Sequence, residues 1–564
     1  MNSWIDTTVI FIFSLFVLGI GMLFARTGRN LKSFFAGGEA VPWFIAGLSL
    51  FMSFFSASTF VAWGSIAYKQ GWVAVTIQWT MCLAAVVTGL LLSPRWKATG
   101  ALTAAEFIRE RLGTTVQKTY IYIFMIFSLF IKGSVLYPVA RLVSASLNFP
   151  LVPTTIVLGI MMIAYTAVGG LWAVMVTDIL QFVILTSAVL ILLPLSLQKA
   201  GGFEAFTQNV PDDFFSVFSG QYMPEFMIAF LLYNICQIGG NWTFVQRYTS
   251  VESPAAARKV AFLFAALYLI SPVIWMLPPM IYQTINPTLT GLDTENAYLM
   301  ICKLVLPPGL LGLMLTGMYF STSASANTTL NVVSAVFTND IYKGFVNPHA
   351  SDKKLISVAR LSSWVIGLGM IGIALLVPAA GGLVEVVLSL SAIVGGPLLA
   401  PPVWVLFSKR LTGAAALWIT ITGLAVNVFF KLISPPLLSF EFTRAEEMAV
   451  GVGGTLLMLL GYELWMRRTI HVSEEYINYI RYKQEKKTKN ERENKEEASM
   501  IRRQNQFGLR IIASSLAFTA LMLLGLSIFT ATGRVITSAM AGVILCSALI
   551  PWRASRKIIV SKPA

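Results

Sequence analysis

Hydrophobic residues fall in long continuous runs, not in the alternation of a half-buried strand or the one-sided stripe of a soluble helix. Runs near 7–25, 72–94, 119–147, 153–169, 176–197, 257–283, 356–378, 413–433, 447–465, 508–530 and 535–552 are mostly apolar. Each offers roughly 17 residues or more, enough to cross a hydrocarbon core at about 1.5 Å per residue. Four further segments, 41–63, 225–248, 301–337 and 381–408, are as long but are interrupted by Ser, Thr, Gly, Asn or Pro. The pattern predicts an all-α polytopic membrane protein with about 15 transmembrane helices, because lipid satisfies no free backbone group. The first run follows Asp6 without a basic stretch or a small-residue cleavage site, so it is read as a membrane helix and not as a signal peptide.

Composition agrees. Of 564 residues, 56% are apolar and only 12% charged, against about 25% charged in a soluble domain. The net charge of +15 would suggest nucleic acid on a soluble protein, but here it sorts by loop. One alternate set of loops holds Arg26, Arg29 and Lys32, then Arg95 to Lys118, Arg247 to Lys259, Lys343 to Arg360, Lys409 and Arg410, the 467–510 stretch and the basic C-terminus. The other set holds only Lys69, Lys199, Lys431, Arg444 and Arg534. The positive-inside rule then places the N-terminus outside and the C-terminus in the cytoplasm of a plasma (inner) membrane protein. That parity needs an odd number of spans, as the hydropathy reading has. No single basic face remains for nucleic acid. The four cysteines stand singly and His349 and His471 fall in loops, so no metal site other than one for Na⁺ is expected.

The interrupted spans carry the chemistry. In 43–71, Ser49, Ser53, Ser56, Ser58 and Thr59 crowd between Gly47 and Gly64. Such a segment suits close helix packing, or a helix that unwinds in mid-membrane and offers carbonyls to an ion. The theme returns in 233–248, with Asn234, Gln237, Gly239, Gly240, Asn241 and Thr243. Two broken spans five helices apart are what a five-plus-five inverted repeat places around one central site. A third polar stretch, 321–331, puts Ser321, Ser325, Thr328 and Thr329 on one helical face; an oxygen-only site of this kind suits a hard monovalent cation such as Na⁺. Charged residues within spans are functional candidates by default. Asp178 is either a cation ligand on the exit path or an interfacial ion-pair partner. Lys132 balances an anionic solute, pairs with an acid or serves packing. Arg141 snorkels outward, and Glu385 lies near an outer rim or gate. The Phe-rich loop 199–224 reads as an amphipathic helix on the outer face, and the Lys/Glu-rich stretch 467–506 as a solvated helix or linker.

AGGEAVPWFIAGLSLFMSFFSASTFVAWGSIAYKQG, GGLWAVMVTDILQ, NWTFVQR and LNVVSAVFTNDIYK, in this order and spacing, resemble the sodium:solute symporter family of sodium/glucose, sodium/proline and sodium/sialic acid cotransporters. The resemblance implies a LeuT-like inverted-repeat core with extra helices at both ends, Na⁺ as coupling ion, and alternating access. It divides the chain into an N-terminal helix and loop (1–40), a first repeat (41–197), an outer loop (198–224), a second repeat (225–410), two added helices (411–466), a charged segment (467–507) and two C-terminal helices (508–564). It implies a sodium site made by the carbonyls of Met52, Phe55 and Ser321 and the hydroxyl of Ser325, with Asp178 at a further sodium site or exit path. Ala324 stands where a second hydroxyl is usual, leaving Ser56 or Ser323 to supply an oxygen. Of the positions that touch sugar in sugar-transporting members, Asn234 is retained. The others are Thr59, Gln78, Met81, Tyr268 and Leu388, and Gln237 takes the place of an aromatic inner gate.

The expectation is a non-enzymatic, Na⁺-coupled symporter of a small polar solute, acting as a monomer or weak oligomer in the bilayer. Thr59, Gln78, Asn234, Gln237, Tyr268 and, for an acid, Lys132 are the candidate solute contacts. A sugar or sugar derivative is favoured. A sugar acid, H⁺ coupling and a non-transporting sensor are the alternatives.

Overall fold

The computed structural model describes residues 4–25, 41–101, 103–147, 149–165, 171–322, 337, 338, 342, 346, 347, 349, 352–469, 472–490, 495–529 and 533–557. Among these the chain is helical. The elements are α1 (Trp4–Ala25), α2 (Trp43–Phe54), α3 (Thr59–Gln70), α4 (Val73–Thr99), α5 (Ala104–Leu112), α6 (Thr114–Leu147) and α7 (Leu151–Tyr165). Then come α8 (Leu171–Lys199), α9 (Phe203–Gln208), α10 (Pro224–Gly240), α11 (Trp242–Thr249), α12 (Pro254–Ile285), α13 (Ala297–Val305) and α14 (Leu310–Thr322). The last are α15 (Asp352–Leu376), α16 (Leu383–Val405), α17 (Gly413–Leu438), α18 (Arg444–Thr469), α19 (Glu474–Asn490), α20 (Lys495–Phe529) and α21 (Arg534–Lys557).

Among the described residues nine helices are long and apolar enough to cross a membrane, and α2 with α3 make a tenth crossing bent by 61°. The other five expected spans coincide with shorter apolar helices, at α1, α7, α14 and α15, and with the interrupted pair α10 and α11.

Two groups of helices emerge from the packing. α4 lies against α10 and α12, and α12 against α2, while α6, α7 and α15 form a second group, with α16 touching both. α8 runs beside α2 and α12, while the α20–α21 hairpin packs on α8. The bonds between loops respect the charge parity. At one end Lys97 Nζ donates to Thr249 O, Arg111 Nη2 to Ser408 O and Ser473 N to Lys409 O. At the other, Trp72 N donates to Phe214 O, Tyr68 Oη to Asn286 O, and Gly309 N and Gly312 N to the Asp6 carboxylate. The first end is termed the basic face.

Close backbone approach needs glycine at particular positions. A Cβ on Gly451 of α18 would stand 2.1 Å from Ala392 O of α16, and one on Gly396 would stand 2.1 Å from Gly451 O. Small residues let helices meet where lipid offers no hydrophobic drive. Gly451→Val is therefore expected to cost about 1–3 kcal/mol or more through overpacking. Thermal unfolding in detergent should show it several degrees less stable, whereas Gly453→Ala, which meets nothing within 4 Å, should behave as the parent.

Candidate ion and solute site

The run of small hydroxyl residues is where α2 stops. Phe55 is extended, at φ −90° and ψ 134°, and its N–H bonds back to Met52 O at 3.0 Å. The groups that the break would orphan are taken up locally: Ser58 N donates to Ser56 Oγ (3.2 Å) and Thr59 N to Ser56 O (3.0 Å). Ala57 N donates to Thr322 Oγ1 at 3.0 Å, and that hydroxyl spends its own proton on Met318 O at 2.8 Å. A bond across 265 positions of sequence thus seats the break of α2 and α3 against the end of α14. Met52 and Phe55, expected to offer carbonyls to Na⁺, lie at the break, Ser321 lies next to Thr322, and all three are buried. Ser325, Ala324 and Ser323 lie outside the described residues, so the hydroxyl half of the expected site has no structural account.

One turn toward the basic face, the Ser49 hydroxyl donates to Asp178 Oδ2 at 2.6 Å and accepts from Arg247 Nε at 3.3 Å. Arg247 Nη2 lies 3.7 Å from the same carboxylate oxygen, with side chains 4% and 8% exposed. This triad joins α2, α8 and α11, so Asp178 is an ion-pair partner in this conformation. Loop charge alone groups Arg247 with the loop cations, whereas the structure buries it. An acid and a base, each at the same membrane depth in different spans, was the signal that would have paired them.

The second interruption falls at Asn241, extended at φ −66° and ψ 126°, whose side chain caps α11 by accepting from Thr243 N at 3.0 Å. Gly239 and Gly240, expected at a point of unwinding, are helical instead. Gly239 faces Leu92 of α4 and Gly240 faces Leu399 O of α16, so the pair gives close packing on both sides.

Deeper in α10, Asn234 is fully buried and its Nδ2 donates to Thr80 Oγ1 at 3.0 Å. Thr80 gives its proton to Ile77 O at 2.6 Å, so it can only accept from Asn234, which fixes the amide orientation. Asn234 Oδ1 then finds no donor among the described residues. Gln78, also buried, donates to Ala74 O of its own helix. Thr59 Oγ1 straddles the break between Ser56 N and Phe54 O at 3.4 and 3.5 Å. Tyr268 lies in an aromatic cluster with Phe51, Phe54, Phe55 and Phe264 that packs on the same break. Gln237 is half-buried on α10, and Met81 and Leu388 are buried. Lys132 is half-buried on α6, which packs with α7, α15 and α16, whereas Asn234 faces α4.

The end opposite the basic face holds two ionic groups. Arg141 donates to Leu292 O, Tyr137 Oη and Asn296 Oδ1, and Glu295 accepts from Tyr137 and from Leu383 N at the start of α16. Arg141 is therefore a loop clamp and not a snorkelling side chain. Glu385, expected at a rim or gate, is held by Lys431 at 2.9 Å and Arg444 at 2.7 Å, which pins α16 to α17 and α18. In the 199–224 loop only α9 is helical, with Phe206 and Phe214 turned inward.

Solved structures identify the class. A substrate-bound, outward-open Na⁺-coupled sialic acid symporter superposes with a TM-score of 0.69 at 21% identity, covering 84% of this chain and 99% of that one. Mhp1, a nucleobase-cation-symport-1 family transporter, gives a TM-score of 0.50 at 15% identity, covering 80% and 99%. The fold is thus that of LeuT-like Na⁺ symporters. A model of the sodium:solute symporter family matches residues 34–423, and the chain belongs to that family. The Vibrio parahaemolyticus sodium/glucose cotransporter is 25% identical over 471 residues, 76% of this chain and 86% of that protein. The Proteus mirabilis sodium/sialic acid symporter SiaT is 24% identical over 473 residues, 80% and 95% of the two chains. The chain is therefore a multi-pass membrane protein and a Na⁺-dependent solute symporter.

The triad yields a stability test. Removing one partner of a buried ion pair typically costs about 3–5 kcal/mol, because the other charge is left uncompensated. Arg247→Ala should therefore unfold at clearly lower temperature in detergent, and Asp178→Asn added to it should recover most of the loss. A double variant no more stable than Arg247→Ala would mean the pair is not coupled.

Proposed function

We propose that this symporter imports a sugar or sugar derivative, with Na⁺ bound where the break between α2 and α3 meets α14. The observation that carries the solute reading is Asn234 Oδ1, a fully buried acceptor without a donor among the described residues. A buried acceptor left unpaired costs about 1–3 kcal/mol, which a solute hydroxyl entering beside Gln78 and Thr59 would recover. The Met52 and Phe55 carbonyls with Ser321 and Ser325 would hold the ion, and Asp178 would meet it on its way out once Arg247 moves. The two interrupted pairs, α2 with α3 and α10 with α11, stand at corresponding places of an inverted repeat spanning 41–197 and 225–410, and the basic face would be cytoplasmic. Moving one charge through 100 mV supplies about 2.3 kcal/mol, so one Na⁺ per cycle sustains roughly 50-fold accumulation of a neutral solute.

A sugar acid is the second reading. It is favoured by Lys132 on α6 and by relatives named as sialic acid symporters.

Uptake into proteoliposomes from a panel of neutral sugars, amino sugars, sugar acids, polyols and amino acids decides between them. Uptake should stop when the Na⁺ gradient is collapsed, Asn234→Ala should raise KM for the accepted solute about tenfold, and Ser325→Ala should raise the Na⁺ concentration required. Lys132→Gln should abolish acid uptake and spare neutral sugars. Accumulation driven by a pH gradient in Na⁺-free buffer would assign H⁺ coupling instead.

A further inference from the structure

The charged stretch after α18 is not a solvated linker throughout. α19 lies across the basic face, outside the 34–423 region that matches the family, and is bonded to two parts of the transporter. On one side Lys483 Nζ donates to Ala98 O at 2.6 Å, at the end of α4. That end belongs to the first helix group: Lys97 Nζ reaches Thr249 O of α11 and Trp96 Nε1 reaches Gly239 O of α10. On the other side Tyr479 is buried with its ring edge-on to Phe107 of α5 at 5.8 Å, and the Arg111 guanidinium of α5 lies 5.0 Å over the Tyr476 ring. Arg111 also donates to Ser408 O, Ser473 N donates to Lys409 O, and Glu475 accepts from Gly413 N at the start of α17. α5 leads directly into α6 and packs mainly on it, with smaller contacts to α11 and to Trp96 of α4, so these contacts lie chiefly on the second group.

The covalent link between the two groups here is the short connection from Thr99 to Ala104. It contains Gly100 in the left-handed region at φ +74° and ends in the Thr103 cap of α5. Any change in the angle between α4 and α5 turns about this connection, and α19 spans it from Ala98 to Phe107.

The docked state also carries a cost. Arg111 is 1% exposed, yet its Nε and Nη1 have no partner among the described residues; unpaired buried donors weaken the docked state relative to one in which water reaches them.

We propose that α19 is an autoinhibitory splint: docked across the α4–α5 connection, it restrains rotation of the first helix group against the second and so limits opening at the basic face. Release of α19 would then raise the fraction of molecules open at that face, whatever the solute.

The test needs no solute, so it can fail without touching the sugar reading. Spin labels are placed at Glu252 and Arg109, exposed positions on the two groups, in the full chain with its native cysteines replaced, and reconstituted in nanodiscs. Distance distributions are recorded in Na⁺ and in K⁺. The Tyr479→Ala/Lys483→Ala variant is expected to increase the longer-distance population about fivefold or more, the shift that the loss of two modest contacts allows. A second arm, with the labels carried on keto-bearing residues so that thiols stay free, bridges Ala98→Cys to Lys483→Cys with a short bis-maleimide: the bridged pair should show a single short distance in both ions, and the unbridged pair, which lacks the Lys483 bond, should shift toward the longer distance as the alanine variant does. This arm reads the restraint even if the alanine variant fails to fold. An unchanged distribution in the folded alanine variant, or a bridged pair that still samples the longer distance, overturns the proposal.

Discussion

A helix that stops inside hydrocarbon leaves N–H and C=O groups that lipid cannot satisfy, and the centre of this molecule is arranged around one such stop. Between Phe54 and Thr59 the donors go to Met52 O, Thr59 Oγ1, Ser56 O, Ser56 Oγ and Thr322 Oγ1. Four of these five are nearby in sequence, which is why small hydroxyl residues crowd at 49–59. The fifth belongs to α14 and makes the break a tertiary feature. Carbonyls released by such a break are a weak, flexible oxygen set, the ligand field that a partly dehydrated Na⁺ accepts.

The same constraint organises the surroundings. Ser49 sits one turn before the break and ties it, through Asp178 and Arg247, to α8 and α11. Rings of Phe51, Phe54, Phe55 and Tyr268 fill the space beside it. An ion at the break would therefore be felt at once by α2, α8, α11 and α14, and by linkage whatever stabilises their arrangement also favours ion binding. Fixed polar groups elsewhere hold helix ends. Glu295 and Glu385 anchor the start of α16, while Lys97 and Trp96 anchor the basic-face end of α4 to α10 and α11.

Much of this was legible in the order of residues. Runs of apolar side chains gave the spans, because hydrocarbon thickness sets their length. Loop charge gave two loop sets that the inter-loop bonds keep apart. The break at 55–58 was visible as hydroxyls flanked by glycine, and Asn234 as a lone amide in an apolar span. What stayed hidden were distances across the fold. Nothing local tells that Thr322 answers Ala57 or that Arg247, next to a loop, turns inward to Asp178. Gly239 and Gly240 looked like an unwinding signal, yet a glycine pair also permits contact with Leu92 and Leu399, and only the neighbours distinguish the two. The stretch after α18 read as solvated because its composition is polar, although Tyr476 and Tyr479 recur at a spacing that puts them on one helical face.

Binding of Na⁺ where the α2–α3 break meets α14 can be read from amide hydrogen exchange of the reconstituted protein, without solute, in buffers of equal ionic strength containing Na⁺ or K⁺. Na⁺ binding at the break predicts slower exchange at residues 55–59 and 321–322 in Na⁺ than in K⁺, with the α20–α21 hairpin unchanged. Equal exchange in the two ions across 55–59 and 321–322 would contradict it.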